Sequence, residues 1–143
     1  VTDYSLTIDG TGRVGVLYGV YPDCSHCPFE KNCDDCGFFC LKFLEQKMKY
    51  ESSQEIGAVI VEAYQGAGII VPPKGWLKAL QDWTHRQGAL FILDEIQSGM
   101  GRTGKMYCFE EEGLDTDGMT EDDIVETPEV FALGDGRYLI VQA

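Results

Sequence analysis

The clearest alternation of apolar and polar positions lies in the middle of the chain. Ile56-Gly-Ala-Val-Ile-Val-Glu62 is a short unbroken apolar run ending on a carboxylate, the pattern of a strand buried on both faces of a parallel sheet. A Gly- and Pro-bearing loop runs from Ala63 to Pro73, and then Trp76, Leu77, Leu80 and Trp83 recur at the spacing of one helix face. That helix starts after Pro72-Pro73 and stops at Gly88. Ala89-Leu-Phe-Ile-Leu93 follows as a second buried strand, with Asp94 and Glu95 at its end. Strand, helix and strand in succession form a βαβ unit. The fold class is therefore α/β, built on a parallel βαβ core.

The flanks carry weaker patterns. Residues 4–8 and 13–20 read as two β-runs joined by the glycine turn Asp9-Gly-Thr-Gly12, which predicts a hairpin. Phe38, Leu41, Leu44 and Met48 mark an amphipathic helix from Gly37 to about Lys49. Near the end, Phe131 to Val141 reads as a hairpin or as a turn into a final strand.

Length and charge refine this picture. At 143 residues, with 44% apolar and 24% charged positions, the chain fits one globular domain spanning 1–143. Its net charge of −13 is concentrated. Met106 to Gly136 holds eleven of the twenty-four acids and no Lys or Arg, leaving thirteen acids against eleven bases elsewhere. Residues 110–129 are expected to be an acidic, flexible segment. Such a balance opposes a phosphate backbone, so no nucleic-acid partner is expected. No apolar run is long enough for a membrane span. The chain opens on Val1 without a basic or apolar leader, so no secretory signal is predicted.

Five of the six cysteines fall in the loop 24–40, as C-x2-C-x5-C-x2-C-x3-C. Cys24, Cys27, Cys33 and Cys36 have the paired spacing of a four-thiolate zinc site. The competing account is buried thiols packing as small hydrophobes where loop meets helix. The overall Cys density is too low for a disulfide-stapled domain, which predicts reduced thiols and a cytoplasmic setting. Gly99-Met-Gly-Arg-Thr-Gly-Lys105 imitates two phosphate-binding patterns. It lacks the long following helix of one and the hydroxyl after the lysine of the other, so a glycine turn lying close to a neighbour is expected instead. Asp94 follows a strand, where a carboxylate must meet a cation or a hydrogen-bond donor. A cationic cofactor ring, a helix cap or an ion pair would each satisfy it.

With these residues in hand, the chain resembles a known family. Val59-Ile-Val-Glu-Ala-Tyr-Gln-Gly66, Val71-Pro-Pro-Lys-Gly-Trp-Leu-Lys-Ala-Leu80, Gly88-Ala-Leu-Phe-Ile-Leu-Asp-Glu-Ile-Gln97 and Gly101-Arg-Thr-Gly-Lys-Met106 are similar to segments of the class III (omega) aminotransferases, which use pyridoxal phosphate. Cys27-Pro-Phe-Glu-Lys31 and Cys36-Gly-Phe-Phe-Cys40 are similar to a cysteine-bearing segment of some members, so the resemblance covers about residues 24–114. It implies part of the large domain of the fold type I pyridoxal-phosphate transferases. It also implies roles: Asp94 pairs with the pyridine nitrogen, Ile96 packs on a ring face, Gln97 bonds the ring's phenolic oxygen, and Glu62 pairs an arginine near the substrate carboxylate. The same resemblance lowers the standing of zinc, because that family segment is not a metal site.

The departures carry equal weight. Family members hold a lysine downstream of the aspartate that bonds covalently to the cofactor, and this chain has no lysine beyond Lys105. Phe131-Ala-Leu-Gly-Asp-Gly136 loosely matches the family's K-G-L-G-x-G, with Phe131 at the lysine's place. The family's phosphate-gripping loop and substrate arginine have no counterpart in these residues. No catalytic residue is therefore assigned, and the chain is expected to be a truncated, split or decayed part of an aminotransferase, inactive alone. Exposed strand edges would call for a homo-oligomer or another chain. A non-enzymatic zinc-binding or protein-interaction module on the Cys24 to Cys40 loop is the alternative.

Overall fold

Two parallel strands and the helix between them organise the molecule, as seen in a computed structural model that describes residues 5–8, 14–114, 130–132 and 138–140. In chain order the elements are β1 (Ser5–Ile8), β2 (Val14–Leu17), α1 (Phe39–Glu51), β3 (Ala58–Glu62), α2 (Trp76–Arg86), β4 (Leu90–Asp94), α3 (Phe109–Glu112), β5 (Val130–Ala132) and β6 (Tyr138–Ile140). Strands β3 and β4 pair in parallel, from Ala58 opposite Leu90 to Glu62 opposite Asp94. The expected βαβ unit is present. Strands β1 and β2 form the expected antiparallel hairpin, and β5 with β6 form a second one.

The predicted face of α2 is the heart of the core. Leu77 is fully buried, and Trp76, Leu80 and Trp83 are nearly so. They cluster with Val59 and Val61 of β3 and with Leu44 and Met48 of α1, and Phe91 and Leu93 of β4 pack against the cluster. Burying one such side chain contributes about 1.5–3 kcal/mol. Gly88 ends α2 at φ +72°, a left-handed conformation that side-chain-bearing residues rarely adopt. Its N–H donates to His85 O at 2.9 Å. The expected apolar face of α1 is borne out at Leu44 and Met48. Phe38 instead stands before the helix in the left-handed region.

Strand β4 departs from expectation. Its apolar run predicts a buried strand, yet Leu90 is 66% and Ile92 41% exposed. Side chains alternate along a strand, so Phe91 and Leu93 face the helices while Leu90 and Ile92 share the opposite face. On the same face of β3 the register partner of Leu90, Ala58, is buried, so the openness belongs to β4. The acidic segment begins as the short helix α3, and residues 115–129 lie outside the described residues, as does most of the Phe131 motif. No helix among the described residues is long and apolar enough to cross a membrane.

The cysteine loop also corrects expectation. Cys24 and Cys33 are joined in a disulfide, with their Cα atoms 5.5 Å apart, so these two are not reduced thiols. Cys27, Cys36 and Cys40 keep free thiols. The bond takes two of the four thiolates a zinc site would require, and no metal-holding group of three His, Cys, Asp or Glu forms among the described residues. Two turns bring the pair together. The Asp23 carboxylate accepts the N–H groups of Ser25 (2.9 Å) and His26 (3.1 Å), and Asn32 accepts those of Asp34 and Cys36.

Candidate functional site

The carboxyl ends of β3 and β4 set the site, where ligands of open α/β sheets are found. Register places Glu62 directly opposite Asp94, on strands about 4.8 Å apart. By alternation both belong to the face that carries Leu90 and Ile92. Each carboxylate is held by a backbone amide just beyond its own strand. Glu62 Oε2 accepts the Gly66 N–H at 2.8 Å, and Asp94 Oδ1 accepts the Ile96 N–H at 3.0 Å. Asp94 thus caps a turn rather than the helix end expected of it, and it is half-buried.

The two loops that follow the strands touch. Tyr64 Oη donates to Gln97 O at 2.7 Å. A methyl group added at Gly66 would lie 2.7 Å from Gln97 Cγ, so only glycine lets the Gln97 side chain lie there. Ile96 is 61% exposed. The four residues singled out from sequence, Glu62, Asp94, Ile96 and Gln97, therefore lie together on one edge. Tyr64 and Gly66 join them, although no local pattern singled them out.

Beneath this edge Glu95 organises the turn that carries the G-x-G-R-T-G residues. Its carboxylate accepts the Cys108 N–H (2.8 Å), the Phe109 N–H (2.8 Å) and the Ser98 hydroxyl (2.7 Å). Negative charge at the start of α3 meets amides that have no acceptor within the helix. Arg102 Nη1 donates to Gly99 O at 3.2 Å. A Cβ at Gly99 would come within 2.8 Å of Glu95 O, the close backbone approach expected of this glycine turn. Burial, and then the Glu95 charge, push the Tyr107 hydroxyl pKa up.

A third connection reaches back to the cysteine loop. Tyr21 Oη donates to Glu62 O and to Ala63 O, both at 3.2 Å, and its ring lies 5.6 Å from that of Trp76. The residue that opens the cysteine loop therefore grips the tip of β3.

Comparison with known proteins accords with this geometry. The family model for class III aminotransferases matches residues 6–122. Leucine/methionine racemase of Thermococcus litoralis is 37% identical over 107 residues, covering 73% of this chain and 24% of that protein. The adenosylmethionine-8-amino-7-oxononanoate aminotransferase of Geobacter sulfurreducens is 36% identical over 139 residues, covering 87% of this chain and 28% of that one. Among solved structures, a Bacillus anthracis aminotransferase matches with a TM-score of 0.55 at 34% identity, over 67% of this chain and 22% of that one. An amine transaminase from an uncultivated Pseudomonas species, solved with pyridoxal phosphate bound, gives a TM-score of 0.59 at 32% identity, over 66% and 22% of the two chains. The chain thus spans about a quarter of the length of these relatives. Its parallel α/β core has the fold of the pyridoxal-phosphate transaminases, and the chain belongs to the class III aminotransferase family.

Proposed function

We propose that the edge formed by Glu62 and residues 94–97 is part of the floor of a pyridoxal-phosphate site for amino-group transfer, and that this chain alone does not complete the reaction. The observation that carries the reading is the pairing of Glu62 with Asp94 at adjacent strand ends. The donor set fits a flat cationic ring: Asp94 is half-buried, fixed by the Ile96 amide, and set beside an exposed aliphatic side chain. Asp94 would hold a proton on the pyridine nitrogen through a charge-assisted hydrogen bond. Ile96 would cover one ring face, Gln97 would bond the phenolic oxygen, and Glu62 would orient an arginine near a substrate carboxylate. Bound pyridoxal phosphate supplies an electron sink through which an amino group passes between an amine and a keto acid.

The chain's inactivity rests on the absence of lysine beyond Lys105, since the family's chemistry needs an amine beside the ring. Titration with pyridoxamine phosphate, which forms no imine with surface lysines, tests the floor. An assay with an amine donor and a keto acid tests the silence. Saturable binding without turnover is expected, and turnover with a lysine-bound cofactor band overturns the inactivity.

A second part of the reading concerns partners. The open face of β4, with Leu90 and Ile92 exposed, favours association of this chain with a second copy. Light scattering is expected to report a dimer or larger species, and a monomer at all concentrations overturns it.

A further inference from the structure

The function proposed above leaves the cysteine loop unused, and its geometry holds more than one disulfide's worth of chemistry. Cys24, Cys27, Cys33, Cys36 and Cys40 all line one pocket, open to solvent, with about 30 Å³ of enclosed space. Tyr21, Phe29, Phe38 and Phe39 supply aromatic walls, and Lys31 stands among them. Each half of the Cys24–Cys33 bond has a free thiol three residues later, at Cys27 and Cys36. The Cys36 Sγ lies 3.7 Å from the carbonyl oxygen of Cys33 itself, and Cys36 N–H is tied to Asn32 O at 3.0 Å. Cys40 is set apart, because burial pushes its thiol pKa up, which keeps it protonated and a poor nucleophile.

We propose that this loop is a thiol–disulfide exchange site, in which Cys24–Cys33 is the reactive bond and Cys36 and Cys27 are the resolving thiols for a small thiol of the glutathione class. The step balances without a further oxidant. The thiolate of the incoming small thiol attacks Cys33 Sγ, a new S–S bond forms, and Cys24 leaves as a thiolate that takes a proton from water. Cys36, having given its proton to water, then attacks Cys33 Sγ. The small thiol is expelled unchanged, and a Cys33–Cys36 bond replaces the original one. Attack on Cys24 with resolution by Cys27 is the mirror route. If a second small thiol attacks before resolution, the protein disulfide is reduced by two electrons and two small thiols leave as their own disulfide. A disulfide without neighbouring thiols would offer only that last route.

The test uses the full chain. Alkylation in denaturant without reductant, followed by peptide mass spectrometry, is expected to find Cys24 linked to Cys33 and the other four cysteines alkylated. Five alkylated loop cysteines overturn the proposal. The protein is then incubated with reduced glutathione and quenched with N-ethylmaleimide. Wild type is expected to show Cys33–Cys36 or Cys24–Cys27 linkages and little mixed disulfide. The double variant Cys27→Ser/Cys36→Ser is expected to accumulate the glutathione adduct roughly tenfold more. Equal adduct in both proteins, with the original linkage the only one found, overturns the inference. The single variants C27S and C36S give the same comparison one route at a time if the double variant fails to fold.

Discussion

Glu62 and Asp94 are register partners, the last residues of two parallel strands, and each carboxylate is tied to a different loop amide. Two negative groups side by side repel each other, and separate anchoring amides offset part of that cost. The arrangement favours a cation above the pair. Replacing Asp94 by Ala is expected to weaken pyridoxamine phosphate roughly ten- to a hundredfold, the worth of a hydrogen bond to a charged group. Asp94→Asn should fall between. Calorimetric titration checks both, and unchanged affinity in D94A would remove Asp94 from the proposed floor.

Glu95 does the opposite work one residue later, because its partners are all within the protein. Glu95→Ala removes the acceptor for the Cys108 and Phe109 amides and the Ser98 hydroxyl. A loss of about 2–3 kcal/mol in stability is expected, read from the urea midpoint. Amide exchange at Cys108 and Phe109 should quicken along with it, while pyridoxamine phosphate affinity changes less than in D94A.

Leu77 and Leu90 make a controlled pair. Leu77 is fully buried and Leu90 is 66% exposed. Leu77→Ala should destabilise by about 2–5 kcal/mol through lost transfer energy and a cavity. Leu90→Ala should stay within about 0.5 kcal/mol in dilute protein. Chemical denaturation of both variants decides, and a large cost at Leu90 would mean that another chain covers it.

The first turn of the cysteine loop should respond to acid. Burial pulls the Asp23 pKa upward, but the His26 and Ser25 amides and His26 outweigh it, and the net shift is below the ordinary value of 3.8. A depressed pKa means that the carboxylate supports the fold above the unfolded-state pKa. That support is lost as pH falls through the lower folded-state value. Amide chemical shifts of Ser25 and His26 should move together in that window below 3.8, and Asp23→Asn should abolish the transition.

Much of the core was legible because period and burial agree. Trp76, Leu77, Leu80 and Trp83 repeat at helical spacing, and all four are buried. Two apolar runs, each ending in a carboxylate, were enough to place Glu62 and Asp94 at the carboxyl ends of two strands, but the register that sets them opposite each other was not legible. The openness of β4 was not legible, because an unbroken apolar run does not say which layer covers it. The bond between Cys24 and Cys33 was hidden for a different reason: sequence spacing leaves many pairings open. Glu95 reaches thirteen and fourteen residues forward to its amides, and no local pattern marks such a contact.

The Tyr21 hydroxyl proton, shared between the carbonyls of Glu62 at the end of β3 and of Ala63 just beyond it, acts as a tether across about forty residues of sequence separation. Losing the phenol would unhitch the sulfur-rich loop from the carboxylate edge while leaving the ring beside Trp76. Tyr21→Phe therefore separates two properties that a deletion would destroy together: the aim of Glu62 and the survival of the aromatic packing that surrounds it.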